Sequence, residues 1–168
     1  FGTFSITLTL IPIVVGSALY GWGSGAWLGF VFGVTVLLTG DANLFLAVNI
    51  PGTIITVILK GTLAGAAAGF VYKLISKKNQ IAAVIVSAVV APVVNTGIFV
   101  LGSYVFFFDY LSGLAEGTNL FVFILVGLVG INFFIELGIN LVLNPAILQI
   151  IRIGKKNFGG KNQIIKTK

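Results

Sequence analysis

Long apolar stretches, separated by short breaks rich in Gly, Pro or charge, run along the chain from about residue 4 to residue 151. A helix needs about 20 mostly apolar residues to cross the hydrocarbon core of a bilayer. The pattern therefore predicts an all-α membrane protein with five membrane helices, at about 4–20, 26–39, 52–75, 81–107 and 120–151. Residues 21–25 are expected to form a Gly-rich turn, and Pro145 to bend the long fifth helix near its end.

The composition agrees with a membrane protein and removes several kinds of chemistry. The 168 residues are 58% hydrophobic and 8% charged, whereas soluble domains average roughly 25% charged residues. The chain has no Cys and no His, which excludes disulfides, Cys/His zinc sites and histidine acid/base catalysis. The four acidic residues form no recognisable pair, and no phosphate-binding Gly-Lys-Ser/Thr loop occurs. We therefore expect neither an enzyme nor a protein with a cofactor or metal of its own.

The basic residues indicate the orientation of the chain. Lys73, Lys77 and Lys78 cluster at one turn, and six of the ten basic residues lie in 152–168. Lys and Arg beside membrane helices mark the cytoplasmic side, so we interpret them as a topology signal rather than as an RNA or lipid-headgroup site. We expect a membrane domain at 1–153 and a basic cytoplasmic tail at 154–168. Five helices then place Phe1 outside, and a sixth helix is expected to precede it.

Two connections on the opposite side are longer than turns require. They span 40–52 and 108–119 and mix apolar with polar residues. Such loops are typical of a cover over a pocket, although they could also merely join helix ends.

Glycines recur at four-residue spacing on two of the predicted helices. One stripe is Gly25, Gly29 and Gly33, and the other is 61, 65 and 69. Such stripes let another helix backbone approach closely. Each stripe could pack inside the bundle or dock against another membrane subunit.

Polar residues at membrane depth are costly, so they are candidates for function. Lys60 lies about 12 Å from the start of its helix, and Asn95 about 25 Å beyond Lys78, so both fall in the outer half of the membrane. Asn132 lies at a similar depth. We predict Lys60 to be an anion-binding group; the alternative is an ion pair with Glu136. The predicted ligand contacts are Lys60, Asn95, Asn132, Thr96, Asn43, Asn49 and Tyr104.

A polar stripe at four-residue spacing follows the fifth predicted helix. It comprises Asn132, Glu136, Asn140 and Asn144, and such a stripe is expected to face protein or a cavity rather than lipid. Pro92 lacks an N–H and therefore frees a backbone carbonyl four residues earlier, at Ala88. The asparagines could bind ligand or form hydrogen bonds between helices.

Three segments carry a resemblance to a known family: LIPIVVGSALYGWGSGAWLG at 10–29, KGTLAGAAAG at 60–69 with the following Tyr72 and Lys73, and VAPVVNTGIF at 90–99. Together they resemble the substrate-binding S component of energy-coupling factor (ECF) vitamin transporters. Within that family the chain looks most like the pantothenate-type members.

The resemblance implies a six-helix bundle, of which this chain holds five helices and lacks the first. It implies a multi-pass subunit of the cell membrane, with a cytoplasmic C-terminus, that captures a vitamin from outside. It also implies a coupling transmembrane subunit and two cytoplasmic ATPase subunits as partners, with no nucleic acid. Gly25, Gly29 and Gly33 would then be the remaining candidate for docking on the coupling subunit.

A buried lysine suits the carboxylate of pantothenate, but the residues do not distinguish this vitamin from others. Riboflavin, folate, biotin, pyridoxine and hydroxymethylpyrimidine-type substrates remain open. A structural subunit that binds no small molecule and a channel-like pore are the alternatives from other classes.

Overall fold

The computed structural model describes residues 10–164, with side chains for 11–130, 133–154 and 156. Every regular element in this part of the chain is helical. The elements are α1 Leu10–Tyr20, α2 Trp22–Thr39, α3 Asn43–Leu46, α4 Ile50–Ile75, α5 Gln80–Phe106, α6 Phe108–Leu114, α7 Leu120–Val122, a π-helical segment Phe123–Gly130, α8 Ile131–Val142 and α9 Asn144–Ile164.

The architecture confirms an all-α membrane protein. Among the described residues, α2, α4 and α5 are long and apolar enough to cross a membrane. The stretches Leu120–Gly130 and Phe133–Val142 are bent by 42° relative to each other and make a fourth candidate span if the two cross the membrane as one. The described part of the first predicted helix, α1, is apolar but shorter, and residues 4–9 of that prediction lie outside the described residues.

The predicted Gly-rich turn at 21–25 is too long. Only Gly21 interrupts the helices, with a φ of 97° that favours glycine. Trp22 already begins α2, because residues 22–25 can continue a helix once Gly21 has redirected the chain.

The fifth predicted helix is divided more than its apolar run suggested. It begins with the π-helical segment, and it breaks at Leu143, two residues before Pro145. Pro145 falls in the first turn of α9, where its missing N–H is not needed. The predicted interruption near Pro145 therefore falls at Leu143, and a bend at this point stays a prediction. Beyond it, α9 continues without a break from the membrane domain into the basic segment that was assigned to the tail.

The two glycine stripes pack against each other inside the chain. A methyl group added to Gly29 would collide with the carbonyl of Gly61, and one added to Gly61 would collide with the carbonyl of Gly29. Gly25 and Gly65 show the same reciprocal contact, and Gly33 faces the backbone of α4 at Val57 and Ile58. The stripe Gly25, Gly29 and Gly33 is therefore covered by α4, which corrects its assignment as a docking surface for a partner.

Two apolar clusters hold the ends of the bundle. Near the α4–α5 turn, Tyr72, Val84 and Ile151 belong to one buried cluster, which joins α9 to α1, α4 and α5. At the other end, Phe107, Leu111 and Ile124 belong to a second cluster beneath α6. We call this second end the α3/α6 end, because both short helices lie there.

Candidate functional site

Lys60 lies on α4, half-buried and about 15 Å along the helix from Ile50. Its Nζ sits over the ring of Phe99 on α5, 5.4 Å from the ring centroid. This geometry is that of a cation–π interaction, which strengthens where water is excluded. The ammonium is therefore directed into the contact between α4 and α5, which we call the α4–α5 seam.

The seam has a regular antiparallel register. Methyl groups added to Gly52 and Gly102 would meet Phe106 and Thr56, respectively. Together with the pairing of Lys60 and Phe99, these contacts place Asn95 about one turn deeper in the seam than Lys60.

Asn95 is 8% exposed, and its Oδ1 has no hydrogen-bond partner among the described residues. A buried acceptor without a donor is unfavourable, most of all in a bilayer. The structure thus brings two of the predicted ligand contacts, Lys60 and Asn95, to one seam. It also leaves the Asn95 amide able to accept a hydrogen bond.

Two hydroxyl groups in the same seam were missed by the sequence analysis. Thr56 Oγ1 and Ser103 Oγ are buried and have no hydrogen-bond partner in the described part of the chain. Thr56 lies one turn from Lys60 on the same face of α4, so its four-residue spacing was a usable signal. Ser103 could be found only once the register with α5 was known.

The other predicted contacts have different surroundings. Asn49 caps α4, since its Oδ1 accepts from the Gly52 N–H at 2.9 Å, and its Nδ2 donates to the Phe106 carbonyl at 3.3 Å. Tyr104 packs against the apolar cluster at the α3/α6 end. Asn43 is exposed at the start of α3, and Thr96 is half-buried on α5. These positions give Asn49 and Tyr104 structural contacts of their own.

The polar stripe of α8 and α9 faces the protein, as predicted, for the members whose side chains are described. Glu136, Asn140 and Asn144 are 9%, 3% and 8% exposed. Asn140 Nδ2 donates to the Ala88 carbonyl at 3.2 Å. That carbonyl is the one that Pro92 deprives of its helical partner, so Asn140 forms a hydrogen bond between helices.

The same contact sets the register of α8 against α5. Asn140 pairs with Ala88, so the backbone of Asn132 lies level with Thr96, about one turn from the depth of Lys60. The side chain of Asn132 lies outside the described residues. Its predicted role as a ligand contact stays a prediction.

Two acids, Glu136 and Asp41, carry the charge opposite to that of the Lys60 ammonium. By register, Glu136 lies level with Pro92, about 10 Å deeper than Lys60. The alternative of a Lys60–Glu136 pair therefore has a physical basis, and a bound anion would compete with these two acids.

Aromatic side chains cover the seam at the α3/α6 end. Phe45 of α3 packs edge-on against Phe99, with centroids 5.5 Å apart, and against Phe107, with centroids 5.0 Å apart.

A groove of about 480 Å³ lies elsewhere, on the exposed face of α8. Its lining is apolar and contains Phe134, Ile135, Gly138, Ile139, Val142 and Leu143. The groove brings no polar group to a ligand, whereas the seam around Lys60 brings an ammonium and the buried amide of Asn95.

Comparison with known proteins agrees with this geometry at the level of the family. The family model described as "ECF transporter, substrate-specific component" matches residues 1–148. No curated protein and no solved structure matches the chain. Because this model matches most of the chain, the protein belongs to the family of ECF transporter substrate-specific components. Members of this family are substrate-binding membrane subunits rather than enzymes.

Proposed function

We propose that this protein captures an anionic vitamin, pantothenate, in the α4–α5 seam, with Lys60 binding the carboxylate. The family supports a vitamin-type substrate and partners from an ECF module. The observation that carries the proposal is the position of the Lys60 ammonium at membrane depth, one helical turn from Asn95, whose Oδ1 has no hydrogen-bond partner among the residues described.

The chemistry of the seam fits a ligand with one carboxylate and several hydrogen-bond donors. An ammonium–carboxylate contact is a charge-assisted hydrogen bond and strengthens in apolar surroundings. The hydroxyl and amide N–H groups of pantothenate could donate to Asn95 Oδ1. Thr96 and Asn132, at nearly the same depth, complete the proposed contact set, with Asn43 at the start of α3 above it.

The distribution of basic residues supports a direction of transport. Lys73, Lys77 and Lys78 lie at the end of the bundle opposite α3 and α6. With that basic end and the C-terminus in the cytoplasm, the α3/α6 end faces outside and receives the vitamin. Release inward then uses ATP hydrolysed by two partner ATPases that act through a coupling transmembrane subunit. Since α4 covers the stripe beginning at Gly25, that subunit docks elsewhere.

The test is pantothenate binding by the purified protein in lipid nanodiscs, measured by calorimetry, with mass spectrometry of any small molecule that copurifies. We expect saturable binding, and Lys60→Ala should weaken it about a hundredfold, as for truncation of a buried charge partner. Lys73→Ala is the matched control, because Lys73 is exposed at the far end of the same helix. Equal affinities for the two variants would remove Lys60 from the site, and preference for an uncharged vitamin would contradict the proposed substrate.

A further inference from the structure

The Lys60 ammonium already has a partner within the seam, the ring of Phe99. The ammonium sits over this ring, 5.4 Å from its centroid. The face of an aromatic ring carries partial negative charge, so it attracts a cation and repels an anion. A ligand carboxylate and the Phe99 ring therefore compete for the same ammonium.

Phe99 also lies between the other polar groups of the seam. Asn95, Phe99 and Ser103 follow one another at four-residue spacing, so they share one face of α5. The Asn95 Oδ1 and Ser103 Oγ atoms are enclosed and have no hydrogen-bond partner within the described range, and Thr56 Oγ1 is in the same condition on α4. Groups suited to binding a polar ligand are thus closed off on both sides of the ring.

The ring is held in place from the α3/α6 end. Phe45 packs edge-on against Phe99 at 5.5 Å and against Phe107 at 5.0 Å. Phe45 belongs to α3, a four-residue helix in the connection between α2 and α4. Contacts of this type are individually weak compared with an ammonium–carboxylate pair in an apolar site, so an arriving anion can displace them.

We propose that Phe99 is the plug of this site. Its ring covers the Lys60 ammonium when no ligand is bound, and it must turn away, together with Phe45 of α3, before a carboxylate can bind. Displacement of the ring then opens the hydroxyls of Thr56 and Ser103 to the hydrogen-bond donors of the same ligand. The proposal rests on the proposed function for its ligand and adds the residues that control entry.

The first test measures access without any vitamin. The chain has no Cys, so Asn95→Cys introduces a single thiol one turn below the ring. We expect a small anionic methanethiosulfonate reagent to modify this thiol at least tenfold faster when Phe99→Leu is added. Phe70→Leu is the matched control, since Phe70 is 55% exposed on α4, and it should leave the rate unchanged. Equal rates of thiol modification with and without the Phe99→Leu change would overturn the proposal that Phe99 closes the site.

The second test uses pantothenate in nanodiscs. Phe99→Leu should speed association and tighten binding by about tenfold, because the ligand no longer displaces a cation–π contact. Weaker binding would instead make Phe99 a support for Lys60 and overturn the proposal. If the Phe99→Leu variant does not fold, Phe99→Met is measured in its place, because Met also removes the aromatic ring but keeps more of the side-chain volume. If the wild type binds no anionic vitamin, the proposed function fails, while the thiol rates still decide whether Phe99 closes the seam.

Discussion

Asn140 on α8 compensates for the hydrogen bond that Pro92 removes from α5. A proline inside α5 leaves the Ala88 carbonyl without its helical donor. In a bilayer no water replaces that donor. The Asn140 side chain, 3% exposed, reaches across from α8 and donates to this oxygen. Burying the Asn140 amide or the Ala88 carbonyl without a partner would be unfavourable, and the hydrogen bond between them offsets both penalties.

Asn140→Leu should destabilise the protein by about 1 kcal/mol, within the range measured for hydrogen bonds between membrane helices. The loss leaves the Ala88 carbonyl without a donor, so adding Pro92→Ala, which restores a backbone N–H, should remove most of the cost. A double-mutant cycle of unfolding free energies checks this. Additive effects of the two changes would show that the pair is not coupled.

At this scale, single residues could be predicted but their partners could not. Lys60, Asn95 and the orphaned Ala88 carbonyl follow from rules about charge, depth and proline. The donor from Asn140 and the ring of Phe99 come from other helices, and a four-residue spacing does not specify the register between helices. Thr56 and Ser103 were missed because a hydroxyl is ordinary in a membrane helix until its neighbours are known.

The contact between α2 and α4 depends on having no side chain at four positions. Gly25 and Gly29 face Gly65 and Gly61 with each backbone close to the other. Without a hydrophobic driving force between membrane helices, such close packing supplies much of their attraction. Since α4 carries Lys60, this contact also fixes one wall of the candidate site.

Gly29→Ala should destabilise the bundle by about 1–3 kcal/mol, as expected for overpacking against a backbone that cannot move aside. Gly23→Ala is the matched control on the same helix, because nothing lies within 4 Å of the added methyl group. Thermal unfolding in detergent should show a lower midpoint for the first variant alone. A midpoint that is unchanged in both would mean that α2 and α4 do not pack through Gly29.

The boundaries of long elements were more predictable than their interruptions. The predictions for α4 and α5 lie within two residues of the observed ends, because Asn49 with Pro51 and Asn79 mark the helix starts. The π-helical segment was not predicted, since FILVGLVG is uniformly apolar and carries no local signal. The glycine stripes were recognised from their spacing, but the spacing does not specify that the stripe on α2 packs against the stripe on α4.

The charges of the molecule as a whole are arranged along the bundle axis. Lys73, Lys77 and Lys78 are exposed at one end, near the start of the basic segment that follows Arg152. Asp109 and Glu116 are exposed at the α3/α6 end. Lys60 lies between these ends, nearer to α3. The mechanism of capture therefore depends on which end faces outside.

Orientation can be measured directly, because the cysteine-free chain accepts single thiols. Gly113→Cys places an exposed thiol on α6, where no atom lies within 4 Å of an added Cβ, and Lys78→Cys places an exposed thiol at the α4–α5 turn. In intact cells an impermeant maleimide should label the thiol at position 113, and label the one at position 78 only after permeabilisation, since basic turns stay in the cytoplasm. The opposite pattern would put the Lys60 seam nearer the inner leaflet. A ligand from outside would then have to pass the apolar cluster around Tyr72 before it reached Lys60, and capture from the exterior by Lys60 would lose its physical basis.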